Sequence, residues 1–371
     1  MNFLFLTNDL SRTGAPLVLL NFLIWIKNHK HNINIDIISI NDGILEEKFR
    51  KNSNSLFIYK KNILQKVFQN ILKTSEINIL FLNTLTLKKN KKYDLVYVNT
   101  VVALPFAYYL FKTSKNTKII LHVHELYYAI KHNVPHFAKY LKIVDHYIAV
   151  SKLVESNLRN KYKINQKNIT VIHPPATINN TNLEVKEKNH FEIGGAGEVR
   201  WQKGVDIFIL LAKLVLTKYN YKDIYFTWVG KISALDRIRI NHDLEKAGIN
   251  KYVNFTGEKS NPHKIFVDFD VFALTSREDP FPLVCIEAGM LAKPIICFEN
   301  VTGIQEILQF GGGYIVPYLD IEKMAEKIIF YYKNKEKLES DGLKSKKLFS
   351  LFTPEKIYPE IFNVILKVLK E

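Results

Sequence analysis

Two acidic residues lie on either side of the helix start in a strand–turn–helix segment at positions 274–294. Asp279 lies in the turn, and Glu287 follows eight residues later, one helical turn beyond Leu283. Because residues four apart share one side of a helix, we expect Glu287 to project on the side where the turn folds over. The helix begins near Pro282, whose missing N–H costs nothing at the first helical position. The segment therefore places carboxylates around a helix start.

The free N–H groups of this helix start, from Phe281 to Val284, combine with the helix dipole to attract an anion such as phosphate. Carboxylates beside that anion accept hydrogen bonds from hydroxyl groups. The combination indicates a site for a sugar nucleotide. The alternative is an ordinary helix cap at Asp279, a position that Asp prefers, with Glu287 on the surface. Glu278 directly precedes Asp279, and the spacing favours Asp279 as the acid that faces the sugar without excluding Glu278.

Two glycine-containing strand–loop–helix units stand elsewhere in the chain. The unit that begins at residue 191, F-E-I-G-G-A-G-E-V-R-W-Q-K-G, carries Arg200 and Lys203, which supply the positive charge that a diphosphate needs. The other unit follows a buried strand over residues 2–7, and its Gly14 lets the backbone come close to a ligand. Its loop lacks the G-x-G-x-x-G pattern, so a dinucleotide is not indicated, and a plain strand–helix turn is the alternative.

Apolar strand-like runs alternate with helical patterns through both halves of the chain, which predicts α/β architecture with parallel sheets covered on both faces. A polar, strand-poor stretch over 176–190 predicts a linker. The sequence therefore predicts a first domain over 1–175, a second over 191–350 and a C-terminal helix within 351–371. A length of 371 residues agrees with two domains.

The strand that ends L-H-V-H-E-L places His122, His124 and Glu125 at a carboxyl end, where open α/β sheets bind ligands. Two histidines and a carboxylate allow a metal site, but the histidines share a face only if the strand stays extended. No third cluster of ligands accompanies them, so we expect no metal. A histidine satisfied by its own surroundings is the alternative to a functional one.

The positive charge of +16 is distributed unevenly. Residues 1–175 carry 25 Lys and Arg against 10 Asp and Glu, whereas residues 176–371 carry 27 against 26. A basic half suits an anionic lipid surface or an acidic substrate, or reflects surface composition alone. No nucleic-acid-binding motif accompanies the charge, so we expect no nucleic-acid partner.

Lysines flank an apolar stripe over residues 60–73, which predicts a basic amphipathic helix that lies on a membrane surface or packs on its own sheet. Cys285 and Cys297 fall in core-like elements and indicate a reducing compartment. Neither a secretory signal nor an apolar run long enough to span a bilayer is visible. We therefore expect a cytoplasmic protein, with peripheral attachment to the inner face of the cell membrane as an option.

The stretch E-D-P-F-P-L-V-C-I-E resembles the E-x7-E region of retaining glycosyltransferases of family 4, with Asp279 and Glu287 at the acidic positions. The segment G-E-V-R-W-Q-K-G resembles the family's G-x-x-x-x-x-K-G loop, with Lys203 at the diphosphate-binding lysine. Glu198 stands where the family often has arginine, and Arg200 is the candidate substitute.

The resemblance implies a GT-B fold, in which two Rossmann-like domains face each other across a central cleft and the last helix returns to the first domain. It implies metal-independent transfer of a sugar from a nucleotide-sugar donor to a glycan or lipid-linked acceptor, as in bacterial surface polysaccharide or lipopolysaccharide synthesis. The nucleotide-sugar is a substrate, and no cofactor is expected. The implied catalytic residues are His124, Lys203 and Asp279, and the implied donor-binding residues are Gly14, Arg200, Lys203, Glu278, Asp279, Phe281, Pro282, Leu283, Val284 and Glu287.

Two other functions agree with parts of this pattern. A carbohydrate- or lipid-binding protein can keep a fold without its catalysis, although the combination of Lys203, Asp279 and Glu287 argues against that. An NDP-sugar epimerase would turn over its donor without any acceptor. The sequence identifies neither the sugar, nor the nucleotide base, nor the acceptor.

Overall fold

The computed structural model describes residues 1–59, 91–114, 116–179, 183–184 and 187–371. Within them the chain forms two compact units. The N-terminal unit comprises Met1–His173 and Pro354–Glu371, and the C-terminal unit comprises Pro174–Thr353. The basic amphipathic helix predicted over 60–73 lies outside the described residues.

The N-terminal unit contains a parallel sheet of seven strands in the order β3-β2-β1-β4-β5-β6-β7. These strands are β1 Asn2–Thr7, β2 Asn34–Ser39, β3 Ser55–Ile58, β4 Leu95–Val98, β5 Lys118–Val123, β6 His146–Ala149 and β7 Ile169–Val171. The order reverses between β1 and β4, which is the switch point at which doubly wound sheets bind ligands. Nearly all residues of β1, β4 and β5 are buried, as expected for strands covered on both faces.

Six helices among the described residues connect these strands: α1 Gly14–His29, α2 Glu46–Lys51, α3 Leu104–Phe111, α4 Tyr127–Asn133, α5 Phe137–Tyr140 and α6 Lys152–Tyr162. Short 3-10 turns at Val101–Ala103, Leu141–Ile143 and Gln166–Asn168 complete the connections. The hydroxyl of Ser151 caps α6 by accepting a hydrogen bond from the backbone N–H of Val154 at 3.2 Å.

The C-terminal unit contains a parallel sheet of six strands in the order β10-β9-β8-β11-β12-β13. These strands are β8 Phe191–Ala196, β9 Ile224–Val229, β10 Val253–Gly257, β11 Val271–Leu274, β12 Ile295–Phe298 and β13 Gly313–Val316. The order reverses between β8 and β11. Two parallel, doubly wound sheets confirm the Rossmann-like architecture predicted from the sequence.

The helices of the C-terminal unit are α7 Val205–Lys213, which continues into a π-helical turn at Leu214–Lys218, α8 Ala234–Ala247, α9 His263–Phe266, α10 Leu283–Met290, α11 Gln305–Leu308, α12 Ile321–Lys333 and α13 Lys335–Phe349. Cys285 and Cys297 are both free and buried.

Helix α10 differs from the sequence-based expectation in its start and in its buried face. It begins at Leu283, and Pro282 precedes it as the N-cap with extended backbone rather than as the first helical residue. The 3–4 spacing of its apolar residues predicts a core-facing side made of Leu283, Ile286, Met290 and Leu291, and of these four only Ile286 is buried. The buried face also contains Gly289, where an added Cβ would lie 2.2 Å from the ring of Phe349 on α13. The helix is therefore covered by α13 as well as by the sheet.

The last helix, α14 Pro354–Lys370, belongs to the N-terminal unit and packs against α1. Its Tyr358 hydroxyl donates to the backbone oxygen of Val18 at 3.3 Å, and its Phe362 ring lies 5.8 Å from the ring of Trp25. Its buried apolar residues recur at helical spacing, so the helix provides one face of the core of this unit. In the part of the chain that the structure describes, no helix is long and apolar enough to cross a bilayer.

Candidate functional site

Two loops of the C-terminal unit leave the sheet at its switch point. Strands β8 and β11 are hydrogen-bonded neighbours there. The loop after β8 ends in a 3-10 turn, Trp201–Lys203, and the loop after β11 contains Asp279. Because the carboxyl ends of parallel neighbours meet at one edge of a sheet, this topology brings Lys203 close to Asp279, although 76 residues separate them.

Backbone contacts between the two loops hold this arrangement. The N–H of Arg277 donates to the backbone oxygen of Gln202 at 2.7 Å, and the hydroxyl of Thr275 donates to the backbone oxygen of Lys203 at 3.3 Å. Gly204 adopts a φ of +64°, which favours glycine, and an added Cβ there would lie 2.0 Å from the Thr275 carbonyl oxygen. Gly204 therefore allows the close approach of the protein's own loop.

The guanidinium of Arg277 provides a further connection that the sequence did not indicate. It forms two parallel hydrogen bonds with the Asp206 carboxylate on α7, at 2.9 and 2.6 Å, and a third with the backbone oxygen of Trp201 at 2.9 Å. This pair lowers the pKa of Asp206 and raises that of Arg277. A bidentate pair fixes orientation as well as distance, so it holds the Lys203 loop against the Asp279 loop.

Lys203 and Asp279 form the central contact of this site. Nζ of Lys203 lies 2.5 Å from Oδ2 of Asp279, and the carboxylate is nearly buried while the lysine side chain remains 27% exposed. The N–H of Asp279 donates to the backbone oxygen of Val301 at 2.9 Å, so Asp279 does not act as the cap of α10. A lysine ammonium has three N–H donors. One of them binds Asp279, and the other two have no partner among the residues that the structure describes.

Glu287 lies on α10 with its side chain only 18% exposed, in contrast to the surface position that was the alternative. Its Oε2 atom faces Nε2 of His263 at 3.5 Å. Nδ1 of His263 accepts a hydrogen bond from the N–H of Asn179 at 3.0 Å. His263 stands 24 residues before Glu287 in the chain, and nothing in its sequence surroundings marked it as part of a site.

The remaining candidates of the C-terminal unit differ in how they are placed. Arg200 is largely exposed and forms an ion pair with Glu198 of the same loop at 2.6 Å. The Phe281 ring is buried against Phe352, at 5.7 Å between centroids, which leaves its backbone as the part able to reach a ligand. Pro282 caps α10, Leu283 and Val284 form its first turn, and Glu278 is half-buried beside Asp279.

Gly14 and His124 belong to the N-terminal unit, where polar groups cluster at the carboxyl ends of β4 and β5. The rings of His122 and His124 lie 4.1 Å apart, and the Tyr97 hydroxyl lies 2.6 Å from Nδ1 of His122. Although part of His124 remains exposed, Nε2 of each histidine is buried without a hydrogen-bond partner among the described residues. Burial lowers the pKa of His124 to about 3, so the ring is neutral.

Glu125 extends this cluster. Its Oε2 atom accepts hydrogen bonds from the N–H groups of His124, at 2.9 Å, and Val101, at 3.4 Å. Burial nevertheless raises the pKa of Glu125 to about 8. On the neighbouring strand end, Oδ1 of Asn99 and the hydroxyl of Thr100 also lack a partner within the described ranges. Buried polar atoms normally have partners, so these groups are suited to a ligand that carries hydroxyls.

Across residues 1–59, 91–114, 116–179, 183–184 and 187–371, no three His, Cys, Asp or Glu side chains are grouped as a metal ion would require. The absence of a metal from the reaction stays a prediction.

Two parts of the chain match the models of glycosyltransferase families. Residues 180–347 match the family described as Glycosyl transferases group 1, and residues 53–179 match Glycosyltransferase Family 4. The chain is 26% identical over 164 residues to the poly(ribitol-phosphate) alpha-N-acetylglucosaminyltransferase of Staphylococcus aureus, a match that covers 44% of the chain and 32% of the relative. It is 27% identical over 199 residues to the capsular polysaccharide biosynthesis glycosyltransferase CapM of Staphylococcus aureus, covering 51% of each. The chain thus spans about a third to a half of these relatives.

The fold is shared with a solved structure over almost its full length. HepE of Anabaena in complex with UDP-glucose superimposes with a TM-score of 0.79, covering 99% of this chain and 100% of HepE, at 17% sequence identity.

Proposed function

Because the chain belongs to the glycosyl transferases of group 1 and has their GT-B fold, we propose that it is a retaining, metal-independent glycosyltransferase that uses a UDP-sugar donor. The acceptor is a glycan or a lipid-linked glycan of the bacterial cell surface. Two relatives named for capsular polysaccharide and poly(ribitol-phosphate) support the acceptor class. HepE, solved with UDP-glucose, supports the choice of uracil as the base.

The contact between Lys203 and Asp279 carries this proposal. The two free donors of the Lys203 ammonium bind the donor diphosphate, and the N–H groups of Leu283 and Val284 at the start of α10 bind it from the helix side. The Asp279 carboxylate, which Lys203 keeps in place at 2.5 Å, accepts a hydrogen bond from a hydroxyl of the donor sugar. Glu287 accepts hydrogen bonds from the ribose hydroxyls.

These groups act on the charge that develops during transfer. As the bond between the anomeric carbon and the β-phosphate oxygen breaks, an acceptor hydroxyl forms a new bond to that carbon and gives its proton to the departing phosphate. UDP leaves with the electron pair of the broken bond, so negative charge grows on its phosphate before the proton arrives. Donors that are fixed before the reaction stabilise this charge without having to reorganise, and such stabilisation is usually the largest single contribution to the rate. Lys203 and the start of α10 supply it here.

In the N-terminal unit we assign His124 and Gly14 to the reacting sugars. A neutral His124 presents a buried Nε2 that still lacks a partner among the described residues, and such an atom can bind a sugar hydroxyl without adding charge. The side chain of Asn99 donates to the backbone oxygen of Ala15 at 3.1 Å, which holds the start of α1, and therefore Gly14, beside this cluster.

A thermal-shift screen with UDP-, GDP- and dTDP-sugars tests the proposal, followed by an assay for nucleotide release with and without glycan acceptors. A ligand that binds only the native state raises its stability, by about 2.7 kcal/mol at a hundredfold excess over Kd. We expect the largest shift with a UDP-sugar and release of UDP that depends on the acceptor. No shift with any nucleotide would contradict the proposal. Conversion of the donor without acceptor would indicate an epimerase, and binding without turnover a binding protein.

We also propose that the basic N-terminal half attaches the enzyme to anionic membranes, where a lipid-linked acceptor would lie. The positive charge of residues 1–175, which include the segment 60–73 outside the described residues, supports this proposal. Each basic residue near such a surface contributes about 1 kcal/mol, screened within a Debye length. Co-sedimentation should therefore occur with anionic vesicles at low salt and fail with neutral vesicles. Equal recovery with both, or none with either, would point to a soluble acceptor.

A further inference from the structure

His263 occupies an unusual position for a histidine in a core. It is the first residue of α9, its side chain is nearly buried, and its ring packs edge-on against Phe266 at 6.1 Å between centroids. The Asn261 side chain accepts a hydrogen bond from the backbone N–H of His263 at 3.2 Å. The backbone of His263 is thus held by its own loop, and its ring is left to contact other parts of the unit.

The contact with Asn179 determines which ring nitrogen carries the proton. A backbone N–H can only donate, so Nδ1 of His263 must accept the hydrogen bond that it makes at 3.0 Å with Asn179. In the neutral ring the proton therefore sits on Nε2. Nε2 is buried, makes no hydrogen bond within the described part of the chain, and lies 3.5 Å from Oε2 of Glu287.

We propose that His263 is a positioning residue for nucleotide binding: its Nε2–H group orients the Glu287 carboxylate toward the ribose hydroxyls of the donor. This inference rests on the proposed function. A donor that approaches one oxygen of Glu287 fixes the plane of the carboxylate and leaves the other oxygen to the ligand. The separation of 3.5 Å shortens when the ribose hydroxyls fix the carboxylate from the other side, since such contacts tighten in complexes.

A simpler role for His263 is packing, because its ring fills the space between Phe266 and the Asn179 backbone. The two roles predict different affinities for a ligand that lacks the ribose hydroxyls. Loss of packing weakens the binding of every nucleotide, whereas loss of orientation weakens only the binding that passes through Glu287. Modifying the ligand and the protein together separates them.

The test measures the affinities of UDP and 2′,3′-dideoxy-UDP by calorimetry for wild type, His263→Phe and His263→Gln. Phenylalanine keeps the ring volume without a donor, and the glutamine amide can donate near the position of Nε2. We expect His263→Phe to lower the affinity for UDP about tenfold, the lower end of the range for losing a hydrogen bond to a charged group. The same variant should change the affinity for the dideoxy compound less than about twofold, and His263→Gln should restore most of the UDP affinity. His242→Phe, at an exposed histidine of α8, is the matched control.

Several outcomes would overturn the inference. An equal loss for both ligands in His263→Phe would make His263 a packing residue, and no loss for either would leave it without a role. If His263→Phe does not fold, His263→Asn takes its place, since its amide can accept a hydrogen bond from the N–H of Asn179 but is too short to reach Glu287. A loss of UDP affinity of the same size for His263→Asn in the wild-type and Glu287→Ala backgrounds contradicts orientation through Glu287. If wild type binds UDP and dideoxy-UDP equally well, the contact between Glu287 and the ribose is refuted, and this inference with it, but the proposed function is not. If wild type binds no UDP, the proposed function itself is refuted.

Discussion

The two units each place polar side chains at the carboxyl ends of their parallel strands, but the electrostatics of the two clusters differ. In the C-terminal unit the charges are paired: Lys203 contacts Asp279 at 2.5 Å, and Arg277 contacts Asp206 through two hydrogen bonds. In the N-terminal unit, burial lowers the pKa of His124 to about 3 and raises that of Glu125 to about 8. Its titratable groups are therefore held neutral near pH 7.

The difference follows from which elements contribute the groups. The C-terminal cluster combines the segments that follow two neighbouring strands, and Lys203 and Arg277 each face a carboxylate of the other segment, which offsets the loss of hydration of both partners. In the N-terminal cluster, Glu125 has only backbone N–H partners among the described residues. Under the proposed function, the paired charges belong to the cluster that would bind the diphosphate, and the neutral donors and acceptors belong to the cluster that would bind sugar hydroxyls. Changes on either side of this contrast test it.

The largest effect should come from removing the ammonium of the C-terminal cluster. Lys203→Ala should lower turnover by about two to three orders of magnitude, the scale for losing one donor that stabilises developing charge. The melting temperature should fall as well, because the nearly buried Asp279 carboxylate loses its counterion, so rates are compared at a temperature at which both proteins are folded. Initial rates at saturating UDP-sugar measure this, and Lys213→Ala, at an exposed lysine of α7, is the control. Activity within a few fold of wild type would remove Lys203 from the reaction.

A smaller effect should distinguish the two adjacent acids. Asp279→Asn keeps the shape but removes the charge beside Lys203, and we expect turnover to fall about tenfold or more, as for losing a hydrogen bond to a charged group. UDP should bind at least as tightly, because a negative charge next to the diphosphate is gone. Glu278→Gln should reduce turnover only a few fold. A larger loss in Glu278→Gln than in Asp279→Asn would identify Glu278 as the acid that faces the sugar.

The smallest effect concerns the neutral state of the N-terminal cluster. Burial raises the pKa of Glu125 from an ordinary 4.5 to about 8. Between pH 4.5 and pH 8, Glu125 is therefore protonated in the folded protein and ionised in the unfolded chain. Stability contributed by this proton is present below the unfolded pKa and is lost as pH rises toward 8. Glu125→Gln should therefore gain in melting temperature relative to wild type between pH 6.5 and pH 8.

The window begins at pH 6.5 because His124, whose folded pKa is about 3, adds stability with rising pH below its unfolded value near 6.5. Parallel melting curves of wild type and Glu125→Gln across this window would contradict the raised pKa of Glu125.

The apolar runs over 271–274 and 118–123 predict buried strands, and β11 at Val271–Leu274 and β5 at Lys118–Val123 have these bounds. Two short strands, β3 at Ser55–Ile58 and β13 at Gly313–Val316, were not predicted. Both mix exposed and half-buried positions, so they lack the apolar run that marks a buried strand. The prediction of the buried face of α10 was partly wrong, because Gly289 has no apolar side chain that would mark it in the sequence and yet faces Phe349.

The candidate site was predictable where a local motif carried it, as for Lys203 and for Asp279 with Glu287. Contacts between distant residues left no local pattern. Arg277 and Asp206 are 71 residues apart, and the Asn179 amide that fixes the tautomer of His263 lies 84 residues before it. Such contacts depend on strand order, which places the loops side by side and which periodicity alone does not give.

Lys203 in the C-terminal cluster is proposed to bind the donor diphosphate. Calorimetric titration of wild type and Lys203→Ala with UDP and with uridine, which lacks the diphosphate, tests this assignment. We expect Lys203→Ala to lower the affinity for UDP by about tenfold or more, the range for a charge-assisted contact, and to leave the affinity for uridine unchanged within error. Equal UDP affinity in the two proteins, or an equal loss for UDP and uridine, would contradict it.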